Sequence, residues 1–264
     1  MTTTAVRSPL SELPPIGLDE LTARAELQTR VDRKYVLPLG EAYDLLGEVS
    51  PDTRILEIDS IRSFAYESTY FDTPDLTSYL LAAHRRRRRF KVRTRIYLDS
   101  FLCWLEVKTR GARGNTVKSR LPYEPGNRAT LTPGRWFVDT ALATKLIPDS
   151  DALVFVPTLM TRYRRSTLFL PETTSRVTID TDLTWEDADL RTLRLPHLAI
   201  VETKTGSTAS HVDRLLWARG YRPTRISKYA TGLAALRPNL PAMRWRRTLR
   251  RHFAPAGCPT TSWL

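Results

Sequence analysis

The chain has 264 residues, 41% of them hydrophobic, enough for one large β-rich domain with a continuous core or for two small ones. Charged residues make up an ordinary 26%, but 41 Lys and Arg against 28 Asp and Glu leave a formal charge of +13. That balance points to a polyanionic partner: nucleic acid, an anionic membrane or phosphate compounds. The sequence has no cysteine/histidine spacing for zinc, no Gly-x-x-x-x-Gly-Lys-Ser/Thr phosphate loop and no apolar run near the roughly 20 residues that span a bilayer.

Residues 1–24 are rich in Thr, Ser and Pro and are expected to form a loosely ordered lead-in. Met1–Leu21 has no apolar h-region, so no secretory signal is expected and the cytoplasm is the expected compartment. Glu26–Leu37 alternates and reads as a strand. Leu39–Val49 has apolar residues at helical spacing. Ser63–Asp72 is an expected strand, and Pro74–Ala83 a short helix with Thr73 as N-cap. Strands are expected over Phe90–Asp99, Phe101–Arg110 and Asn115–Tyr123, the first two joined by a tight turn at Asp99-Ser100. Thr132–Leu146 reads as helix, and Pro157–Pro171, Arg176–Trp185 and His197–Lys204 as strands. Ser207–Arg219 is an amphipathic helix and Ser227–Leu236 a last short one. A basic, Pro-rich tail follows over residues 237–264. Trp136, Trp185 and Trp217 are expected as core anchors. Cys103 and Cys258 are the only cysteines and read as free thiols in a reducing compartment.

Alternate residues of a strand share a face. This places Arg30, Asp32 and Lys34 together, then Lys91, Arg93 and Arg95, then Trp104, Glu106, Lys108 and Arg110. Lys118 and Arg120 follow, then Tyr163 and Arg165, then Arg176, Thr178 and Asp180, then Glu202 and Lys204. Any one such strand is also what a solvated sheet looks like. A solvated sheet normally mixes its signs, because like charges opposite one another repel. Here strand after strand is mostly cationic, with few acids, and burying so many cations is costly unless a polyanion occupies the face. Arg clamps phosphate oxygens in pairs and Lys adds point charge. The remaining acids suit a hard ion such as Mg²⁺ or Mn²⁺. Many antiparallel strands with helices between them indicate an α+β protein built on a closed or nearly closed β-barrel.

Several short stretches carry a family resemblance: Arg30-Val-Asp-Arg-Lys-Tyr-Val, Ser68-Thr-Tyr-Phe-Asp-Thr, Lys91-Val-Arg-Thr-Arg and Leu105-Glu-Val-Lys-Thr-Arg. Lys118-Ser-Arg, Tyr163-Arg-Arg, Val201-Glu-Thr-Lys and Ser227-Lys-Tyr complete the series. In this order they resemble the triphosphate tunnel metalloenzyme superfamily, and within it the catalytic VTC (vacuolar transporter chaperone) domain, over residues 25–236. The resemblance implies an eight-stranded antiparallel β-barrel tunnel with helices packed outside. It implies a polyphosphate polymerase that moves the ATP γ-phosphate onto a growing chain, with ATP, pyrophosphate and inorganic polyphosphate as partners and Mn²⁺ or Mg²⁺ as cofactor. Lys34, Arg93, Arg95, Arg165, Lys204 and Lys228 take the catalytic roles. Arg30, Lys91, Lys108, Lys118, Arg120, Tyr163 and Ser227 bind substrate. Glu202 is the metal ligand, with Glu106 the second metal candidate. The superfamily's hydrolases and cyclases open with Glu-x-Glu-x-Lys, where this chain has Arg30-x-Asp32-x-Lys34. Loss of the first acid favours the polymerase, and Asp32 keeps a tunnel triphosphatase as the alternative reading. A non-catalytic polyphosphate-binding module is the third.

The five-arginine run Arg85–Arg89 reads first as a solvated strand edge or tunnel rim, with polyphosphate contact as its functional alternative. A nucleic-acid partner is not expected, since no helix-turn-helix, RRM aromatic pair or zinc finger accompanies the charge. The tail segment Arg244–His252 reads as a solvated helix or as a disordered stretch. Its functional alternative is a peripheral contact with an anionic membrane, and relatives in membrane complexes imply a separate membrane partner protein.

Overall fold

The computed structural model describes residues 9–25, 31–111, 115–147 and 149–253. In chain order the strands and helices are β1 (Pro15–Ile16), α1 (Leu18–Arg24), β2 (Val31–Pro38), α2 (Leu39–Leu46), β3 (Arg54–Leu56), β4 (Phe64–Asp72) and α3 (Thr77–Ala83). Then come β5 (Phe90–Tyr97), β6 (Cys103–Arg110), β7 (Thr116–Tyr123), α4 (Arg135–Ala143), β8 (Val156–Leu170) and β9 (Ser175–Asp187). The last are β10 (Thr192–Leu195), β11 (Leu198–Thr205), α5 (His211–Ala218), α6 (Lys228–Leu236) and α7 (Arg246–Thr248). Among the described residues no helix is long and apolar enough to cross a membrane.

The described residues fall into two compact units. The first takes residues up to Phe64 with Arg164–Leu183 and Leu195–Thr224; the second takes Ala65–Tyr163, Thr184–Arg194 and the residues from Arg225 onward. In the first unit the strand order is β2-β11-β9-β8, and in the second β8-β4-β5-β6-β7, with β8 and β9 contributing residues to both. These eight strands match the expected number, and the registered pairs among them are antiparallel. The fold is α+β, with helices packed on the sheet. β1, β3 and β10 are additional, and the sequence reading missed them. Two to four residues are too few to show alternation.

In the first unit, Tyr35 and Leu37 of β2, Val177 and Ile179 of β9, and Ala199 and Val201 of β11 point to one face. Ala42, Leu45 and Leu46 of α2 and Val212 and Leu216 of α5 cover them. A buried carboxylate organises this layer. Asp213 Oδ1 accepts from the Tyr35 hydroxyl and from Thr203 Oγ1, both at 2.7 Å. Its Oδ2 accepts from Ser210 N at 2.9 Å and Ser210 Oγ at 2.8 Å, which closes a capping box at the start of α5. Arg33 Nη1 lies 3.5 Å from the same oxygen. The segment expected as a loose lead-in instead supplies Ile16 and Leu21, which pack with Leu56 and Phe169 in a second cluster.

In the second unit, Phe90 and Val92 of β5 and Leu105 and Val107 of β6 face Val138 and Leu142 of α4. Residues 132–134 form a 3₁₀ turn rather than the first turn of α4. Helix α3 starts at Thr77, not Pro74. Its N-cap is Leu76 in the left-handed region (φ 60°). The expected cap residue Thr73 does accept from Thr77 N at 2.9 Å. Buried Asp72 serves the next two donors, Ser78 N at 2.7 Å and Tyr79 N at 2.8 Å. A carboxylate at the end of β4 therefore does much of the capping.

Two other expectations are corrected in this unit. Trp136 is not a core anchor but lies 61% exposed, whereas Trp185 is buried. The tail, up to Phe253, is not merely solvated. Trp245, Leu249 and Phe253 are buried, Trp245 lies against Tyr79 at 5.8 Å, and Phe253 lies against Trp185 at 5.5 Å. Its apolar side chains recur every fourth residue and form a helical stripe that packs inward, while Arg247, Arg250 and Arg251 stay exposed.

Replacing Asp213 with Ala leaves the buried hydroxyls of Tyr35 and Thr203 and the N–H of Ser210 without their acceptor. The expected loss is about 3 kcal/mol of unfolding free energy. Urea denaturation of the D213A variant checks this; a midpoint unchanged from the parent protein would show that the network is dispensable.

Candidate functional site

The antiparallel register of the second unit sets the charged residues in rungs across three strands. Lys91 of β5 stands opposite Lys108 of β6, which stands opposite Lys118 of β7. One rung along, Arg93, Glu106 and Arg120 are abreast, and then Arg95, Trp104 and Pro122. On the other side of β5, Tyr70 is opposite Arg93 and Ser68 opposite Arg95. The apolar partners Val92, Leu105 and Val107 point the other way, into the α4 core.

Glu106 is the centre of this face, 1% exposed. Its Oε2 takes Arg93 Nε at 2.7 Å and Nη2 at 2.5 Å, and its Oε1 takes Lys118 Nζ at 2.5 Å. Burial opposes its charge, but Arg93, Arg95 and Lys118 override burial and hold its pKa far below the usual carboxylate range. Arg93 is itself buried. Burial works against its charge, and the pairing with Glu106 prevails, so its pKa is raised further. For Lys118 burial wins: its pKa is lowered despite Glu106, with Arg95 and Arg93 pushing the same way.

The other cations of this face are held by softer contacts. Arg93 Nη1 donates to the Tyr70 hydroxyl at 3.0 Å. Arg95 lies over the Tyr66 ring at 5.5 Å, with its Nε 3.4 Å from Ser68 Oγ. Arg120 lies over Trp104 at 4.6 Å. Lys91 Nζ donates to Ser227 Oγ at 2.7 Å, and Ser227 also caps α6 by accepting from Ala230 N at 3.2 Å. Lys228 Nζ sits 4.3 Å from the centre of the Tyr163 ring, which stacks on Tyr66. The structure thus gathers Lys91, Arg93, Arg95, Glu106, Lys108, Lys118, Arg120, Tyr163, Ser227 and Lys228 in this unit. It adds Tyr66, and also Ser68 and Tyr70, whose stretch carries the family resemblance but which were given no site role in the sequence. Their signal was present, since Tyr66, Ser68 and Tyr70 alternate along β4.

The first unit holds a separate, charge-matched group. Register places Lys34, Glu202 and Thr178 abreast, and Asp32, Lys204 and Arg176 one rung away. Glu202 Oε1 receives Lys34 Nζ at 3.0 Å and Lys204 Nζ at 2.6 Å. Arg165 holds Asp180 in a two-point contact, Nε to Oδ1 at 2.6 Å and Nη2 to Oδ2 at 2.8 Å. Burial penalises the charge on Glu202, yet Lys204, Lys34 and Arg165 together keep its pKa well below the ordinary value. Lys204 is pushed down to about 8, first by burial and then by Arg165, while Glu202 and Asp32 pull the other way. Arg30 lies outside the described residues.

The VTC domain profile matches residues 29–237. The chain belongs to the VTC domain family. No curated protein matches it. Among solved structures, the VTC-domain chain is similar to a proposed adenylyl cyclase from Hippeastrum, described as having a dominant triphosphatase activity. That pair is 18% identical with a TM-score of 0.46, over 77% of this chain and 94% of the other. It is also similar to a proposed adenylate cyclase from Bacillus halodurans, 13% identical with a TM-score of 0.48, over 75% of this chain and 94% of the other. A conserved protein from Pyrococcus furiosus is 12% identical with a TM-score of 0.42, over 76% of this chain and 98% of the other.

Among the described residues no three His, Cys, Asp or Glu side chains come together to hold an ion by protein ligands alone. A hard divalent ion commonly binds through one or two carboxylates plus substrate phosphates. Glu202 fits that pattern, because it is ionised and both of its lysines use Oε1, which leaves Oε2 for a metal that arrives with phosphate. Glu106 fits it less well, since cations occupy both of its oxygens.

Glu106→Gln removes the carboxylate that pairs with buried Arg93 and Lys118, so unfolding free energy should fall by about 3 kcal/mol. Added tripolyphosphate should recover part of the loss. Equal chemical stability of the two proteins would refute the anchoring role. Lys204 generates a pH prediction. Below about pH 8 it is charged, and above it the charge is lost. Tripolyphosphate affinity measured by calorimetry should therefore decline as pH rises through about 8, and Lys204→Arg, which keeps its charge, should flatten that limb. A wild-type profile with no such decline would remove Lys204 from the anion site.

Proposed function

We propose that this VTC-domain protein is a polyphosphate polymerase acting on ATP with Mg²⁺ or Mn²⁺. The rung Lys91–Lys108–Lys118 carries the reading. Like charges directly opposite one another on neighbouring strands are destabilising, and here the rung beside them supplies one carboxylate, Glu106. A bound polyanion such as a phosphate chain removes that repulsion.

In this reading a terminal oxygen of polyphosphate attacks the γ-phosphorus of ATP. The bond from that phosphorus to the β,γ-bridging oxygen breaks, ADP leaves with the electron pair, and the chain is one phosphate longer. The attacking oxygen is already anionic near neutral pH, so little base assistance is required. Catalysis is then positioning and charge neutralisation. Arg93, Arg95 and Lys228 in the second unit, and Lys34, Arg165 and Lys204 in the first, take those roles. Lys91, Lys108, Lys118, Arg120, Tyr163 and Ser227 hold the chain. A metal on Glu202 would supply further neutralisation of the phosphate oxygens. Pyrophosphate is the expected primer.

A second reading, a triphosphatase, is favoured by one observation. Asp32 is retained beside the Lys34–Glu202 pair, in register with Lys204, where an acid is placed to orient water.

Purified protein incubated with ATP and Mn²⁺, with and without pyrophosphate, separates these readings on a gel stained for polyphosphate. A ladder of long chains is expected, and Lys34→Ala and Glu202→Ala should each lower its yield by about a hundredfold or more. Free phosphate without a ladder would replace the polymerase with the triphosphatase.

A further inference from the structure

Beyond the charged rungs, the second unit contains a cavity of about 490 Å³. Six arginines line it (Arg85, Arg87, Arg89, Arg110, Arg225 and Arg244), and among the described residues the only other lining one is a glycine. The volume is within the range of roughly 300–1,000 Å³ typical of small-ligand sites, but the wall is unlike that of an ordinary apolar pocket. Among its described residues there is no carboxylate, and no aliphatic or aromatic side chain. Arg89 and Arg244 are half-buried, and burial together with the neighbouring arginines depresses the pKa of both. Arg244 is held in place by Nη1 donating to the Ala82 carbonyl at 3.3 Å, and Arg89 by Nη1 donating to the Arg86 carbonyl at 3.0 Å. A cluster of guanidinium groups with no acid on its wall is complementary to a multiply charged oxyanion, because arginine pairs with phosphate oxygens through two parallel hydrogen bonds.

The chain connects this cavity to the transfer face three times. Arg89 lies two residues before Lys91 on β5. Arg110 lies two residues after Lys108 on β6. Arg225 lies two residues before Ser227, the hydroxyl that receives Lys91. An even offset along a strand keeps a side chain on the same face, so Arg110 continues the Lys108 row. The rung of three lysines therefore leads toward the arginine cavity along two adjacent strands and the segment before α6. A longer linear chain of phosphates can engage more of both places at once than a triphosphate can.

We infer that the arginine cavity is a second anion subsite, which holds the part of an inorganic polyphosphate chain that extends past the Lys91–Lys108–Lys118 rung. It would give the protein a preference for long chains over triphosphate. This rests on the proposed polymerase reading for its ligand, but its test does not depend on turnover.

The experiment compares the parent protein with a triple variant, Arg85→Gln, Arg110→Gln and Arg225→Gln, three exposed positions whose change leaves the core untouched. Affinity for long-chain polyphosphate, for tripolyphosphate and for ATP is measured by calorimetry, with thermal unfolding as the check on folding. Loss of three charge-assisted contacts should weaken long-chain binding about tenfold or more, while tripolyphosphate and ATP stay within about twofold. Unchanged long-chain affinity overturns the subsite, whether or not the protein makes polymer. An equal loss for tripolyphosphate overturns it as well, by making the cavity part of one undivided site. A third arm adds anionic lipid vesicles and a single-stranded oligonucleotide as competitors. If either displaces long-chain polyphosphate equally well per phosphate from the parent protein, but not from the triple variant, the cavity serves another polyanion and the inference fails. If the parent binds long chains with the expected preference yet yields no ladder from ATP, the subsite stands and the polymerase reading alone is lost.

Discussion

Three lysines abreast on adjacent strands are the constraint around which the second unit is organised. Each pair in the rung Lys91–Lys108–Lys118 sets like charges opposite one another, an arrangement that sheets normally avoid. Two features make it tolerable. On the reverse side, Val92, Leu105 and Val107 pack against Val138 and Leu142 of α4, and burial of such side chains at about 1.5–3 kcal/mol each outweighs repulsion between partly solvated cations. On the near side, Glu106 draws Lys118 away from its neighbours, and Ser227 draws Lys91 toward the start of α6. The hydrophobic face thus allows the opposite face to be electrostatically unfavourable until an anion arrives.

The two units differ in how their cations wait for a ligand. In the first, three cations have acids: Lys34 and Lys204 share Glu202, and Arg165 takes Asp180. An incoming phosphate competes with those carboxylates, so binding there is an exchange of partners and gains little net charge interaction. In the second, one buried carboxylate serves Arg93 and Lys118, while Arg95 and Arg120 rest on aromatic rings. Phosphate added there would meet Arg95 and Arg120 over aromatic rings, and its gain at those two would be correspondingly larger. Affinity for the polyanion is therefore expected to reside mainly in the second unit. On the proposed reading, the exchangeable pairs of the first are better suited to respond when charge moves during transfer.

Much of this was legible in the sequence, because a strand's two faces alternate and the alternation in β5 and β6 is unbroken. The segregation of Lys91, Arg93 and Arg95 from Val92, Thr94 and Ile96 needed no structure. The rungs did need one, since register depends on turn geometry: Tyr97 bonds Leu102 across a turn that carries Phe101 at φ 54°, longer than the two-residue turn the sequence suggested. Asp72 as a helix-capping acid was equally hidden, because the donors it serves lie six and seven residues ahead. The arginine run Arg85–Arg89 was visible, but its meaning was not. Its cavity is completed by Arg110, Arg225 and Arg244, which are near it only after folding.

The balance between phosphate transfer and hydrolysis follows from the same geometry. A water nucleophile must lose a proton, so hydrolysis requires a base whose basicity survives in the site. Asp32, the acid of the hydrolytic reading, stands in register with Lys204. On the proposed reading a phosphate-chain nucleophile would arrive already ionised and would be drawn by that same lysine. The cations of this fold would then favour an anionic acceptor over its neutral competitor, water.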